Sequence, residues 1–209
     1  MNRGVFLDWD GVLVDSLGIY FQLYKDLCRD YAKVLPVADL AAFRGWYEPR
    51  WEVNFEAMGF TTAQFAEVVT GYEARLDYTM SPMFEGAGPM LKSLSAQWPV
   101  AIVSTAPSRA IRNRLAGEGL EQTVRLVVGG DDGTSHKVER LGQAMAQLGV
   151  RGGVMVGDTS VDIEAGKAQG LQTIGVSYGW FSRERIQATE PLEIVDEPRL
   201  LEARIRRYL

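Results

Sequence analysis

Two pairs of aspartates follow directly on short apolar runs of the sequence. Asp8 and Asp10 come after the run GVFL and precede Gly11, and Asp158 and Asp162 come after the run GVMV. Ligands of open α/β sheets bind beyond the carboxyl ends of the strands, so we expect the four carboxylates at one sheet edge. Aspartate after a strand is also a common turn residue or helix N-cap. Taken alone, Asp158 or Asp162 could have only that structural role.

Four carboxylates at one edge repel one another unless a cation neutralises them. Hard oxygen ligands that leave positions open for water and a phosphate suit Mg²⁺. The two pairs therefore predict a Mg²⁺ site.

The elements that must position these residues are indicated by alternating patterns. Short β-branched runs near residues 5, 100, 124, 153 and 173 are typical of buried parallel strands. Helical patterns separate them, such as those that begin at Pro107 and Val138, and the tail adds a run near Leu192 and a last helix. This alternation predicts an α/β fold with a doubly wound, mainly parallel Rossmann-like sheet.

One region breaks the alternation. Residues 17–80 contain three helix-like stretches and no convincing strand. We therefore predict a core domain made of residues 1–16 and 81–209, with a helical cap domain of residues 17–80 inserted into it.

Composition limits the classes of function. A chain of 209 residues with 46% hydrophobic content can bury a substantial core, and its net charge of −5 argues against a nucleic-acid binder. The apolar start is broken at Asp8, no run is long enough to cross a bilayer, and the single cysteine, Cys28, excludes an intramolecular disulfide. We expect a cytoplasmic protein, a monomer or weak homodimer, without nucleic-acid or membrane partners.

The motifs together resemble those of one family. The segment DWDGVLVDS is similar to the first motif, DxDGxLxDS, of haloacid dehalogenase superfamily hydrolases, with Trp9 where Phe is more usual. Ser104 resembles the second motif, Lys137 the third, and GDTSVDIEAGKAQG the fourth. The insertion after Asp15 is similar to the small helical cap of the phosphoglycolate phosphatase and β-phosphoglucomutase branch.

This resemblance implies a Mg²⁺-dependent phosphatase that acts on a small phosphorylated metabolite. It implies that Asp8 is the nucleophile that forms an aspartyl phosphate, and that Asp10 is the general acid and base. The implied metal ligands are Asp8, the backbone carbonyl of Asp10 and Asp158. Asp162 is implied to orient these ligands without binding the ion itself.

The implied phosphate-binding residues are Ser104, Thr105 and Lys137. Ser104 ends a strand just before a helix, so its hydroxyl and nearby N–H groups can face a phosphate oxygen, although serine there is also a routine turn residue. A lysine taken alone is usually solvated, but the motif order favours a role for Lys137 in compensating the charge of Asp8 and phosphate. Val138 replaces the proline often found after this lysine, and Thr105 stands where asparagine is frequent.

Substrate specificity is expected to reside in the inserted helices. The segment FRGWYEPRW offers Arg44, Gly45 and Trp46, and an arginine there can pair with a carboxylate or second phosphate of the substrate. The alternative is that the tryptophans pack the cap and the arginines are solvated.

Two other functions stay open at this point. A sugar phosphomutase of the β-phosphoglucomutase type shares the covalent aspartate and the general acid. A non-catalytic phosphate-binding protein on the same fold is the other alternative, although the joint presence of Asp8, Asp10, Ser104, Lys137 and Asp158 argues against it.

Overall fold

A single sheet of parallel strands organises the part of the chain that the structure describes. The computed structural model describes residues 2–133 and 136–209. The six strands of that part are β1 (Arg3–Leu7), β2 (Val100–Val103), β3 (Leu126–Val128), β4 (Gly152–Gly157), β5 (Gln172–Val176) and β6 (Glu193–Val195). Their order across the sheet is β3-β2-β1-β4-β5-β6, and every pairing is parallel. The chain changes direction across the sheet between β1 and β4, which makes their carboxyl ends a topological switch point.

Helices cover both faces of this sheet. The core helices are α5 (Ala87–Ser95), α6 (Ser108–Gly117), α7 (Lys137–Leu148), α8 (Ser160–Ala168), α9 (Arg183–Ala188) and α10 (Leu201–Arg206). Alternate strand residues point to opposite faces, so Val5 and Leu7 pack in one hydrophobic cluster and Phe6 packs in the other. The predicted α/β fold with a doubly wound, Rossmann-like sheet is confirmed.

The chain between β1 and α5 is helical, as the sequence predicts. It contains α1 (Leu17–Asp30), α2 (Leu40–Trp46), α3 (Trp51–Ala57), the 3-10 turn Thr62–Gln64 and α4 (Phe65–Glu73). The second predicted stretch is divided into α2 and α3 around Pro49, because proline restricts the preceding residue and cannot donate a helical hydrogen bond.

These four helices share a hydrophobic cluster that is rich in aromatic rings. Tyr24, Phe43 and Phe55 lie at its centre, and Cys28 is buried in it. Trp180, from the loop after β5, is buried in the same cluster, so the insertion packs on the core through this side chain. No helix among residues 2–133 and 136–209 is long and apolar enough to cross a bilayer.

Both ends of the insertion leave the core side by side. Val14 forms an antiparallel bridge with Met83, Asp15 N donates to Pro82 O at 2.8 Å, and Phe84 N donates to Leu13 O at 3.0 Å. The division into residues 1–16 with 81–209 and residues 17–80 stays a prediction.

Candidate active site

Three buried carboxylates meet at the switch point. Asp8 directly follows β1, and its N–H continues the ladder by donating to Val156 O of β4 at 3.0 Å. Asp158 directly follows β4, and Asp162 lies in the first turn of α8. One oxygen atom from each of Asp8, Asp158 and Asp162 lies within 4.8 Å of the others. The structure therefore brings these three predicted site residues together.

The turn after β1 requires glycine. Gly11 has a φ of 74°, and a Cβ atom there would lie 1.9 Å from Asp158 Oδ2. The same turn directs Trp9 N to donate to Asp8 Oδ1 at 2.8 Å, so the Asp8 carboxylate is held by its own loop. Gly11 thus lets the Asp8 loop approach Asp158 closely.

A buried lysine joins two of the carboxylates. Lys137, the first residue of α7, places Nζ 2.8 Å from Asp8 Oδ1 and forms a second ion pair with Asp162 Oδ1. The other oxygen of Asp162 accepts hydrogen bonds from Thr159 N at 3.0 Å and Thr159 Oγ1 at 2.7 Å, which closes the capping box of α8. Asp162 is therefore fixed by its own helix and in turn positions the ammonium beside Asp8.

The loop after β5 holds Asp158 and Asp10. Trp180 N donates to Asp158 Oδ2 at 2.7 Å, and Trp180 Nε1 donates to Ser16 Oγ at 3.1 Å. Ser16 is itself hydrogen bonded to the Asp10 carboxylate. Sequence reasoning missed Trp180, because nothing local in the segment SYGW signals a contact with residues so far away in the chain.

Burial and charge crowding raise the pKa values of the carboxyl groups. Burial, together with the charges of Asp162 and Asp10, raises the pKa of Asp8 to about 7 against the opposing effect of Lys137. Burial raises the pKa of Asp10 to about 6, although Ser16 and Lys137 act in the opposite direction. Burial and its acidic neighbours also raise the pKa of Asp158 well above the usual range.

The pKa of Lys137 is also raised, but by the neighbouring carboxylates and not by burial. Burial by itself would lower its pKa, but the charges of Asp162 and Asp8 outweigh burial and raise that pKa above the usual lysine range. The lysine is therefore a fixed cation. One ammonium does not offset three buried carboxylates, and the remaining negative charge together with an all-oxygen donor set fits a hard divalent cation such as Mg²⁺.

The second-motif residues lie at the end of β2. Ser104 is buried, its N–H donates to Val128 O at 3.0 Å, and its Oγ accepts from Ala106 N at 3.1 Å. Thr105 lines the open cavity at this point, as does Gly130 at the end of β3. Ser104 therefore shapes the turn that presents Thr105 to the cavity.

A cavity of about 770 Å³ extends from the carboxylates toward the inserted helices. Its described core lining includes Asp8, Asp10, Asp158, Lys137, His136 and Arg140. From residues 17–80 come Tyr20, Tyr47, Pro49, Arg50, Trp51, Glu52, Glu73 and Tyr78. Tyr20 and Tyr47 both pack edge-on against Trp180, with ring centroids 4.6 Å and 4.5 Å away. The cavity is polar at the carboxylate end, and the other end is lined by both aromatic and charged side chains.

The expected specificity residues Arg44, Gly45 and Trp46 are not among the described residues that line this cavity. The Arg44 guanidinium instead donates to the carbonyl oxygens of Ser177 and Gly179, and Trp46 packs against Phe43 inside the insertion. Gly45 is exposed.

Tyr47, Pro49, Arg50 and Trp51 of this segment do line the cavity. Phe43 and Tyr47 are four residues apart and share the inner face around α2, which turns Arg44 to a different side. Burial, followed by the charges of Tyr24, Asp158, Asp10 and Asp8, raises the pKa of Tyr47, as expected for a hydroxyl near the carboxylates. The helical repeat over Phe43 and Tyr47 is a sequence signal that Tyr47 is buried, but it does not show that Tyr47 faces the carboxylates.

Comparison with known proteins places these observations in one family. Residues 5–176 match the family model described as haloacid dehalogenase-like hydrolase. A phosphoglycolate phosphatase of Rhodospirillum rubrum is 31% identical over an alignment that covers 94% of this chain and 88% of that protein. A predicted phosphatase from Clostridium acetobutylicum has the same fold, with a TM-score of 0.84, 22% identity and 99% coverage of both chains.

A third relative is longer than this chain. The tyrosine-protein kinase PtkA of Mycobacterium tuberculosis is 29% identical over an alignment that covers 88% of this chain and 65% of the kinase. This chain thus spans less than two thirds of that relative. The resemblance inferred from the four motifs is confirmed by the family match.

Proposed function

Because the chain belongs to the haloacid dehalogenase-like hydrolase family, we propose that it is a phosphatase that transfers the phosphoryl group of a small metabolite to Asp8 and then to water. The observation that carries the proposal is the cluster of Asp8, Asp158 and Asp162 around Lys137 at the switch point of the sheet. Phosphoryl transfer needs an in-line nucleophile, compensation of the phosphoryl charge and a proton for the leaving group. The site has a candidate for each.

Asp8 is the proposed nucleophile and Asp10 the proposed general acid. Asp8 Oδ1 is held by Trp9 N–H and Lys137, and a bound cation adds to that compensation. The raised pKa of Asp10, about 6, supports its holding a proton that it donates to the departing alkoxide oxygen. Asp10 then accepts a proton from the water that attacks the phosphoaspartate.

We propose that Mg²⁺ is held by Asp8, the backbone carbonyl of Asp10 and Asp158, with Asp162 orienting Lys137 beside them. The ion would supply charge stabilisation for the phosphoryl oxygens. Lys137, Thr105 and the turn shaped by Ser104 would hold the remaining phosphoryl oxygens.

The leaving group is proposed to occupy the end of the cavity that the inserted helices line, beneath a cap formed by residues 17–80. Tyr47 and Trp51 line this end, and a volume of about 770 Å³ suits a metabolite larger than a two-carbon acid. We therefore expect ring-containing phosphate esters to be hydrolysed more efficiently than 2-phosphoglycolate, although relatives of this chain are named phosphoglycolate phosphatases.

The test is phosphate release from a panel of sugar phosphates, 2-phosphoglycolate, nucleoside monophosphates and phosphorylated amino acids, with Mg²⁺ and with a chelator. We expect release only with the metal, and the loss of release in Asp8→Asn. Asp26→Asn, which changes a partly exposed carboxylate of α1 that pairs with Arg29, is the matched control. Undiminished turnover by Asp8→Asn, or full turnover with the chelator, would refute the mechanism.

The same panel decides between hydrolysis and the alternatives. A sugar phosphomutase would isomerise a hexose 1-phosphate without releasing phosphate, and the named phosphatase relatives do not favour it. A non-catalytic binding protein would retain phosphate esters unchanged. A cytoplasmic location, the lack of nucleic-acid and membrane partners, and a monomer or weak homodimer also stay predictions, which fractionation and size-exclusion chromatography check.

A further inference from the structure

Arg44 reaches from the insertion to the loop that follows β5. Its Nη2 donates to Ser177 O at 2.5 Å, to Gly179 O at 2.7 Å and to Phe181 O at 3.4 Å. One guanidinium nitrogen thus serves three carbonyl groups of residues 177–181, which we call the 177–181 loop. Hydrogen bonds from a charged donor are stronger than those between neutral groups.

The 177–181 loop is also the segment that holds Asp158. Trp180 N donates to Asp158 Oδ2 at 2.7 Å, and Phe181 N donates to Asp158 O at 3.3 Å. Gly179 lies so close that an added Cβ atom would be 2.4 Å from the Cβ of Asp158. A shift of the loop therefore changes the orientation of this carboxylate.

The loop is also connected to Asp10, through Ser16. Trp180 Nε1 donates to Ser16 Oγ at 3.1 Å, and Ser16 is hydrogen bonded to Asp10. The Trp180 ring packs against Tyr20 and Tyr47 of the insertion. Both contacts depend on the position of the same short segment.

A second arginine connects insertion and core in the opposite direction. Arg185 Nη1 donates to Arg44 O at 3.0 Å and to Tyr47 O at 2.7 Å, and its Nη2 donates to Glu48 Oε1 at 2.9 Å. Its guanidinium stacks 3.5 Å from the ring centroid of Phe181. Arg185 therefore holds the end of α2, whereas Arg44 holds the carbonyls of the 177–181 loop.

We propose that Arg44 is a positioning residue for the metal site. By holding the 177–181 loop it fixes the Trp180 N–H that orients Asp158, so that docking of the insertion on the core sets the affinity for the divalent cation. The proposal rests on the proposed function in one respect, that Asp158 is a metal ligand. It assigns to Arg44 a role in metal affinity and none in direct contact with the substrate.

The test measures Mg²⁺ binding without substrate, by titration calorimetry of the full chain. Arg44→Met is expected to raise the dissociation constant for Mg²⁺ by roughly tenfold, because three loop carbonyls lose their charged donor and the Trp180 N–H that orients Asp158 is no longer fixed. Arg185→Met, the matched control, removes the stacking on the Phe181 ring but leaves the three loop carbonyls bound to Arg44, and it should change the constant by less than about threefold. Arg44→Lys keeps a cation and should recover part of the affinity.

A second variant tests the proposal if Arg44→Met does not fold. Gly179→Ala leaves Arg44 intact but pushes the loop away from Asp158, so it should weaken Mg²⁺ binding as well. Unchanged binding by a folded Arg44→Met or by Gly179→Ala would overturn the proposal. Equal losses in Arg44→Met and Arg185→Met would also overturn it, because general loosening of the insertion would then explain both.

Steady-state kinetics separate this proposal from the proposed function. In Arg44→Met the Mg²⁺ concentration for half-maximal activity should rise, while the KM for the phosphate ester at saturating Mg²⁺ stays near the wild-type value. A wild-type chain that binds Mg²⁺ but hydrolyses nothing would refute the phosphatase assignment and leave the comparison of binding constants valid. A wild-type chain that binds no Mg²⁺ would overturn the role of Arg44 together with its premise.

Discussion

Replacing Lys137 by methionine tests the electrostatic basis of the site. The side chain is buried, and its Nζ lies 2.8 Å from Asp8 Oδ1 and also pairs with Asp162. At an effective dielectric constant of about 20, unit charges at this separation attract by roughly 6 kcal/mol, part of which offsets the cost of burying them. Removing one partner of a buried pair costs about 3–5 kcal/mol, and we expect this loss in the free energy of unfolding of the metal-free protein.

The loss should depend on pH in a definite direction. The folded-state pKa of Asp8, about 7, is raised above its ordinary value of 3.8, so the stability linked to its protonation is present at low pH and lost as pH rises through about 7. Without Lys137, the factor that lowers this pKa is gone, and ionising Asp8 in the folded state becomes still more costly. Lys137→Met should therefore destabilise the protein more at about pH 8 than at about pH 5.

Urea unfolding of wild type and variant, with a chelator present and at both pH values, measures the effect. Lys167→Met is the matched control, since Lys167 is partly exposed, its Nζ lies 3.9 Å from an exposed Glu190, and the change should cost less than about 1 kcal/mol. A loss for Lys137→Met no larger than the control, or one that is greater at low pH, would refute this account of the charge balance.

Further changes separate the roles of individual residues. Asp8→Asn should abolish phosphate release and remove the phosphorylated species that mass spectrometry of the acid-quenched wild type detects; a persisting adduct would place the nucleophile elsewhere. Asp10→Asn should slow alkyl phosphates more than aryl phosphates, since poor leaving groups need the proton most, and equal losses would argue against a general acid. Trp51→Ala should lower kcat/KM about tenfold for ring-containing esters and little for a small alkyl phosphate, and equal effects on both would show that the ring supports the insertion.

The fold of the core and the convergence of the strand-end carboxylates could be predicted from local sequence. Strands buried on both faces are continuous apolar runs, and the direction of parallel strands places residues that follow β1 and β4 at one edge. For that reason Asp8 and Asp158 could be brought together without knowledge of the packing. The capping box between Thr159 and Asp162 is likewise a local pattern, and it fixes the carboxylate that positions Lys137.

The tertiary structure decided which residues of the insertion and of the later loop reach the site. Arg44 and Tyr47 are three residues apart, and only the way α2 docks on the core determines that Tyr47 faces the carboxylates while Arg44 binds backbone carbonyls. Trp180 contacts Asp158 and Ser16, which are 22 and 164 residues away in sequence. Periodicity reports which face of an element is apolar, but the partner that this face meets depends on the packing of distant elements, which no local pattern contains.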